Sequence, residues 1–157
     1  MNTMVEDEIQ SAPSMDIGEM IRPRGIGRNY RVLVAEDNIM QREVIRDVLL
    51  AIECQVQVAS DGAEALDRYE VRLGCFDLVL TDLEMPRMNG VELAQAVRRL
   101  SPGQPIVVMS ANFKRNIQKH IPDGLVVGIL EKPFGIADLR QILDGLPDPE
   151  RRWIDRR

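Results

Sequence analysis

Five polar residues stand where apolar runs of the chain end. Glu36 and Asp37 follow "RVLVA" (31–35). Asp82 follows "DLVLT" (77–81), and Ser110 closes "PIVVMS" (105–110). Lys132 comes just after "LVVGIL" (125–130), with Pro133 behind it. Three carboxylates brought together repel one another and favour a hard divalent cation with oxygen ligands, Mg2+ by default. A lysine beside them offsets charge and can hold an anion, and a hydroxyl can donate a hydrogen bond to that anion. Acid cluster, cation, lysine and hydroxyl suit a phosphoryl group carried on an aspartate nucleophile. In "FDLVLTDLEMPRMNG" (76–90), Asp82 falls at the end of an expected buried strand, and it looks like the carboxylate that becomes phosphorylated. Glu84 would offer a backbone carbonyl to the metal, and "PRMNG" turns the chain into the next helix.

That chemistry requires the five residues to converge, so the elements between them matter. The β-branched runs "RVLVA", "CQVQVA" (54–59), "DLVLT", "PIVVMS" and "LVVGIL" are near-continuously apolar. Strands of a parallel sheet covered on both faces look like this. Helical patterns lie between them. Met40, Val44, Ile45, Val48, Leu49 and Ile52 recur at 3.6-residue spacing. Asp61 is an N-cap for a second helix carrying Leu66 and Tyr69, with Glu64 in the capping-box position. A third starts near Gly90 and buries Leu93, Val97 and Leu100. A fourth, weaker one runs from about Phe113 to His120, and a fifth uses Ile136, Leu139, Ile142 and Leu143. The reading is α/β: (βα)5, a doubly wound five-stranded parallel sheet in a flavodoxin-like three-layer sandwich, with right-handed crossovers. Ligands in such a sheet sit beyond the carboxyl ends of the strands, where all five polar residues fall.

Taken singly, each residue has a plain structural reading. An acidic pair after a strand caps a helix. A lysine before proline marks a helix boundary. A serine at a strand end, or an aspartate at a turn, is common. Their joint occurrence at the ends of one predicted sheet carries the functional reading.

Composition bounds the rest. The chain has 157 residues, is 45% hydrophobic and 29% charged, and carries a net charge of −5. These values describe a globular domain and argue against a nucleic-acid or membrane partner. No run approaches a membrane span, and the acidic N-terminus lacks the apolar core of a signal peptide. Cytoplasm is the expected location. Cys54 and Cys75 are too few and too far apart for a disulfide framework or zinc site and are read as reduced thiols. Residues 1–29 are read as a tail and linker, with "RPRGIGRN" (22–29) entering the fold. Residues 30–146 form the domain, and 147–157 a short charged tail whose Trp153 packs back on the domain or on a partner.

The motifs "VLVAEDN", "ASDGAEAL", "DLVLTDLEMPRMNG", "VVMSA" and "LEKPF" together resemble a response-regulator receiver domain of two-component signalling, over roughly Tyr30 to Leu146. The resemblance implies that Asp82 accepts a phosphoryl group from the phosphohistidine of a sensor histidine kinase or histidine phosphotransfer protein. It implies that Asp37 binds Mg2+ directly, Glu36 binds it through water, and the Glu84 main-chain carbonyl and Asp82 complete the protein ligands. Lys132 would pair with the phosphoryl group, and Ser110 would hydrogen-bond to it and move on activation. Output would leave through the face built by the fourth helix, fifth strand and fifth helix, where Lys114, Arg115 and Lys119 supply a basic rim.

Two features depart from the family. The position three residues before the lysine usually holds an aromatic, and here it is Ile129. Only eleven residues follow Leu146, so the expectation is a single-domain regulator acting by docking, or a receiver cut from a larger chain. It would catalyse only its own phosphotransfer and dephosphorylation. Two other classes compete. One is a non-phosphorylated interaction module with this fold. The other is an aspartate-nucleophile phosphatase of the haloacid-dehalogenase type, whose Asp-x-Asp lies on the first strand, whereas Asp82-Leu83-Glu84 follow the third. His120 is read as an exposed helix-end residue, not a phosphoacceptor.

Overall fold

The computed structural model describes residues 29–112 and 117–149. In chain order its elements are β1 (Arg31–Ala35), α1 (Ile39–Ala51), β2 (Gln55–Ala59), α2 (Gly62–Val71), β3 (Leu78–Asp82), α3 (Gly90–Leu100), β4 (Ile106–Ser110), a 3-10 turn (Ile117–His120), β5 (Gly128–Glu131) and α4 (Ile136–Asp144). The five strands form one parallel sheet in the order β2-β1-β3-β4-β5.

Alternation along the strands divides the core into two layers. Val32 and Val34 of β1, Leu78 and Leu80 of β3, and Val107 and Met109 of β4 pack with Ile45 and Leu49 of α1 and Leu139 and Leu143 of α4. Leu33, Ala35, Val79, Ile106 and Val108 pack on the opposite face, with Ala65 and Tyr69 of α2 and Leu93, Ala94 and Val97 of α3. Successive side chains of a strand point to opposite faces, so a run apolar at every position must be covered on both. Tyr69 stacks on Phe76, with ring centroids 5.9 Å apart, and its hydroxyl donates to Gln104 Oε1 at 2.9 Å.

Local chemistry starts the helices. The side chains of Asn38, Asp61 and Asn89 accept the Gln41, Glu64 and Glu92 N–H groups, satisfying donors the helix leaves open. Glu92 returns the bond to the Asn89 N–H, completing a capping box. The expected box at α2 closes one residue earlier. Glu64 accepts from the Ser60 N–H at 2.7 Å and the Ser60 hydroxyl at 2.6 Å, not from Asp61.

Several apolar residues expected inside lie outside. Met40 and Val44 are 74% and 60% exposed, and Leu100 and Ile136 are each 42% exposed. Periodicity identifies the buried stripe of a helix but not how far the sheet extends beneath it. Met40 and Val44 line an open hollow with Gln41, Lys132, Pro133 and Phe134. Leu100 and Ile136 are terminal residues of α3 and α4. The expected fourth helix is also revised: its described part, Ile117–His120, is a single 3-10 turn. Phe113 to Asn116, including Lys114 and Arg115, lie outside the described residues, as do the linker 22–28, most of the tail and Trp153. Lys119 and His120 are exposed.

Gly90 opens α3 directly behind the Asp82 backbone, and a Cβ there would run into the Asp82 carbonyl oxygen and Leu83 Cα. Gly90→Ala is expected to destabilise the fold by about 3 kcal/mol, since fixed backbone must move to admit it. Gly103→Ala, with nothing within 4 Å of the added atom, should change stability by no more than about 0.5 kcal/mol. Chemical denaturation of the two variants checks the contrast.

Candidate functional site

Sheet register delivers the acids. Ala35 of β1 pairs with Thr81 of β3, so Glu36 and Asp82 leave adjacent strands at one level. Asp82 pairs with Met109, and Ser110 pairs with Glu131, so Ser110 and Lys132 stand at the next levels of β4 and β5. The Lys132 N–H donates to the Ser110 carbonyl at 2.8 Å, fixing where the lysine leaves the sheet.

Carboxylate oxygens of Glu36, Asp37 and Asp82 lie within 4.8 Å of one another. Lys132 Nζ reaches into this group, 2.7 Å from Glu36 Oε2 and 3.4 Å from Asp82 Oδ1. Four of the five predicted residues therefore converge. Ser110 is buried at the end of β4, and its Oγ accepts the Asn112 N–H at 3.1 Å. Ile129 is half-buried and packs against the core layer that holds Val108 and Ile121. It fills that place as an aliphatic side chain of β5.

The electrostatics follow from burial. Glu36 is 1% exposed, so its charge needs partners. Lys132 holds one oxygen and the Asn38 N–H, at 3.0 Å, holds the other. Burial pushes the Asp82 carboxyl up to about 6, with the Glu36 charge adding to the rise. The Lys132 ammonium and the Leu83 N–H, which donates to Asp82 Oδ1 at 2.9 Å, pull the other way and only partly offset it. A lone ammonium thus leaves excess negative charge in the pocket. Oxygen donors at this spacing, with one exposed member, fit a hard divalent cation. Glu84 lines the same cleft as Asp37, with Asn89, Asn112 and His120 also on its walls.

Three contributors were not legible beforehand. Gln41 accepts from Lys132 Nζ at 2.7 Å across a separation of 91 residues. Arg42 donates to the Glu36 carbonyl at 2.8 Å, tying the acid pair to α1. Arg87, in the loop after Asp82, contacts Asp61 at the start of α2. Capping spacing hints at Gln41, but the pairing across the fold carries no local signal.

A carboxyl raised above its unfolded value near 4 destabilises the fold when ionised. The penalty is absent below about pH 4 and fully present once pH has risen through about 6. In EDTA, Asp82→Asn should therefore stabilise the fold by about 1–3 kcal/mol at pH 8 and by far less at pH 4. Thermal melts at the two pH values check this, and equal effects would mean the carboxylate is not strained.

Comparisons with known proteins agree with this geometry. Residues 32–144 match the family described as "Response regulator receiver domain". The chain is 32% identical over 114 residues to transcription factor SKN7 of Chaetomium thermophilum, covering 72% of this chain and 15% of that protein. It is 39% identical over 121 residues to sensor histidine kinase TmoS of Ectopseudomonas mendocina, covering 74% and 12%. The chain thus spans less than a quarter of the length of these curated relatives. Among solved structures it superposes on chemotaxis protein CheY4 of Vibrio cholerae with a TM-score of 0.68 at 29% identity, over 75% of this chain and 98% of that one. The receiver domain of sensor histidine kinase PA1611 from Pseudomonas aeruginosa, solved with a magnesium ion coordinated in its active-site cleft, gives 0.67 at 26% identity over 81% and 98%. Motif, register, acid cluster and likeness converge on one conclusion: this chain belongs to the response regulator receiver domain family.

Proposed function

We propose that the protein is a phosphorylation-dependent signalling switch, in which Asp82 accepts a phosphoryl group from the phosphohistidine of a sensor histidine kinase or histidine phosphotransfer protein. The observation that carries this reading is the Lys132 ammonium set between Glu36 and Asp82 beside a third carboxylate, Asp37. In the transfer, a carboxylate oxygen of Asp82 forms a P–O bond as the donor's P–N bond breaks, leaving an acyl phosphate and a free imidazole. Lys132 pairs with the arriving oxygens, and the Ser110 hydroxyl donates to one of them. Asp37 and Asp82 would hold Mg2+ with the Glu84 carbonyl, Glu36 acting through water. Bound there, the ion supplies positive charge against the negative charge that builds up in transfer.

The rim suits a protein donor. Ile39, Met40 and Val44 on α1 are exposed, and Phe134 and Pro133 flank Lys132 across the hollow. Exposed apolar side chains around a charged entrance are what a docking protein covers. Output is assigned to the surface of the segment after β4, β5 and α4, which adjoins Ser110 and Lys132. New charge and acceptor oxygens at Asp82 bias those loops. With Ile129 in place of an aromatic, the change is loop repacking without ring rotation. The protein turns over no separate substrate in this reading, and a net charge of −5 fits protein partners better than nucleic acid. Among the described residues no helix is long and apolar enough to cross a membrane, and a cytoplasmic site of action is part of the proposal.

Incubation with acetyl phosphate and Mg2+ should add the mass of one phosphoryl group, read by intact mass spectrometry. Asp82→Asn and EDTA should each reduce that labelling at least about tenfold, the loss of a nucleophile or of a metal's charge stabilisation. Equal labelling of Asp82→Asn would place the acceptor elsewhere, and no labelling at all would favour an interaction module that does not use phosphate.

A further inference from the structure

We infer that Asp61 and Arg87 form a clasp that positions the loop 83–89, and with it the Glu84 carbonyl, for the cation. The inference rests on the proposed role of that loop in holding Mg2+. Arg87 adopts φ 64°, a left-handed conformation that non-glycine residues rarely hold without support. Its support is visible. Arg87 Nε and Nη2 approach Asp61 Oδ2 at 2.7 and 2.6 Å. The other oxygen of the same carboxylate, Oδ1, accepts the Glu64 N–H at 2.9 Å and starts α2. The Asp61 side chain is only 9% exposed, whereas that of Arg87 is 64% exposed. A buried carboxylate anchored to a helix therefore holds the outer arm of the loop.

A second contact reinforces the first. Gly62 lies so close to Met88 that a Cβ would run into the Met88 carbonyl oxygen. The first turn of α2 thus meets the loop by charge at residue 87 and by backbone packing at residue 88. At its other end the loop is tied down where the Gly90 N–H donates to the Leu83 carbonyl at 2.9 Å. Between these anchors lie Glu84, Met85 and Pro86, which line the cleft shared with Asp37. A backbone carbonyl offered to a metal must stay within a few tenths of an ångström of its place, because the protein supplies the geometry. Asp61 and Arg87 touch neither metal nor phosphoryl group in this account, so both are positioning residues.

The test uses Mg2+ alone, read by amide resonances of residues 82–90, in the whole chain. Asp61→Asn keeps the cap, because asparagine accepts the Glu64 N–H equally well, but turns an amide toward Arg87. Arg87→Ala removes the other partner. Each should raise the apparent Mg2+ dissociation constant by roughly three- to tenfold, which lies within the range of coupling between contacting groups. The double variant should be no weaker than either single one, since both break one contact. Arg87→Gly also loses the ion pair but relaxes the left-handed backbone, so without metal it should melt at a higher temperature than Arg87→Ala, yet bind Mg2+ just as weakly. A merely structural pair would lower the melting temperature and leave Mg2+ binding unchanged. Unchanged binding in the single variants, with the unaltered protein responding normally, overturns the clasp alone. No response in the unaltered protein overturns the metal reading and the clasp with it.

Discussion

One ammonium group sits against a three-carboxylate cluster at the end of the sheet, and the architecture follows from that imbalance. Lys132 lies 2.7 Å from a fully buried Glu36 and 3.4 Å from Asp82. Removing it would leave Glu36 charged and unpaired in the interior, a loss of about 3–5 kcal/mol for a buried pair broken on one side. Keeping it still leaves Asp82 harder to ionise than an ordinary aspartate. A site with this surplus is poised for a further positive charge and for an anion that the lysine can then hold. The fold supplies the deficit, and the chemistry proposed for the site answers it.

The rest of the structure places these groups without asking the loops to find them. A parallel sheet puts the carboxyl ends of all its strands on one edge, so register alone brings Glu36 and Asp82 to one level. The two apolar layers hold that register, since sliding a strand by one residue would exchange its two faces. Around the edge, short ties finish the work. Arg42 holds the backbone of the acid pair, Gln41 holds Lys132, and the glycine at 90 lets α3 start against the Asp82 backbone. Stability and site geometry therefore share the same residues.

Much of this was legible in the chain itself. "RVLVA" became β1 at the residues read, and the two-sided apolar runs announced a covered parallel sheet. Asp61 capped α2 as expected, and the acids, lysine and serine fell at the strand ends. What escaped has physical causes. Met40 and Val44 fit the helical stripe of α1 but line an open hollow, because periodicity says which face is apolar and not what lies beneath it. The stretch before Pro122 has few apolar anchors, and its described part winds into a single 3-10 turn instead of the end of an α-helix. The bonds from Lys132 to Gln41 and from Arg87 to Asp61 join residues far apart in sequence. Side chains that meet only after the sheet has formed leave no local pattern to read.

In the proposed function the clustered carboxylates form a cation site, and the ion would relieve their repulsion. The most direct measurement is the melting temperature against Mg2+ concentration, for the unaltered protein and for Asp37→Ala. An ion that binds only the folded state stabilises by mass action, so the unaltered protein should melt at progressively higher temperature as Mg2+ rises. Asp37→Ala should show no such rise, and in EDTA it should be no less stable than the unaltered protein, because one repelling charge is gone. An undiminished Mg2+-dependent rise in Asp37→Ala would put the ion elsewhere and contradict the account.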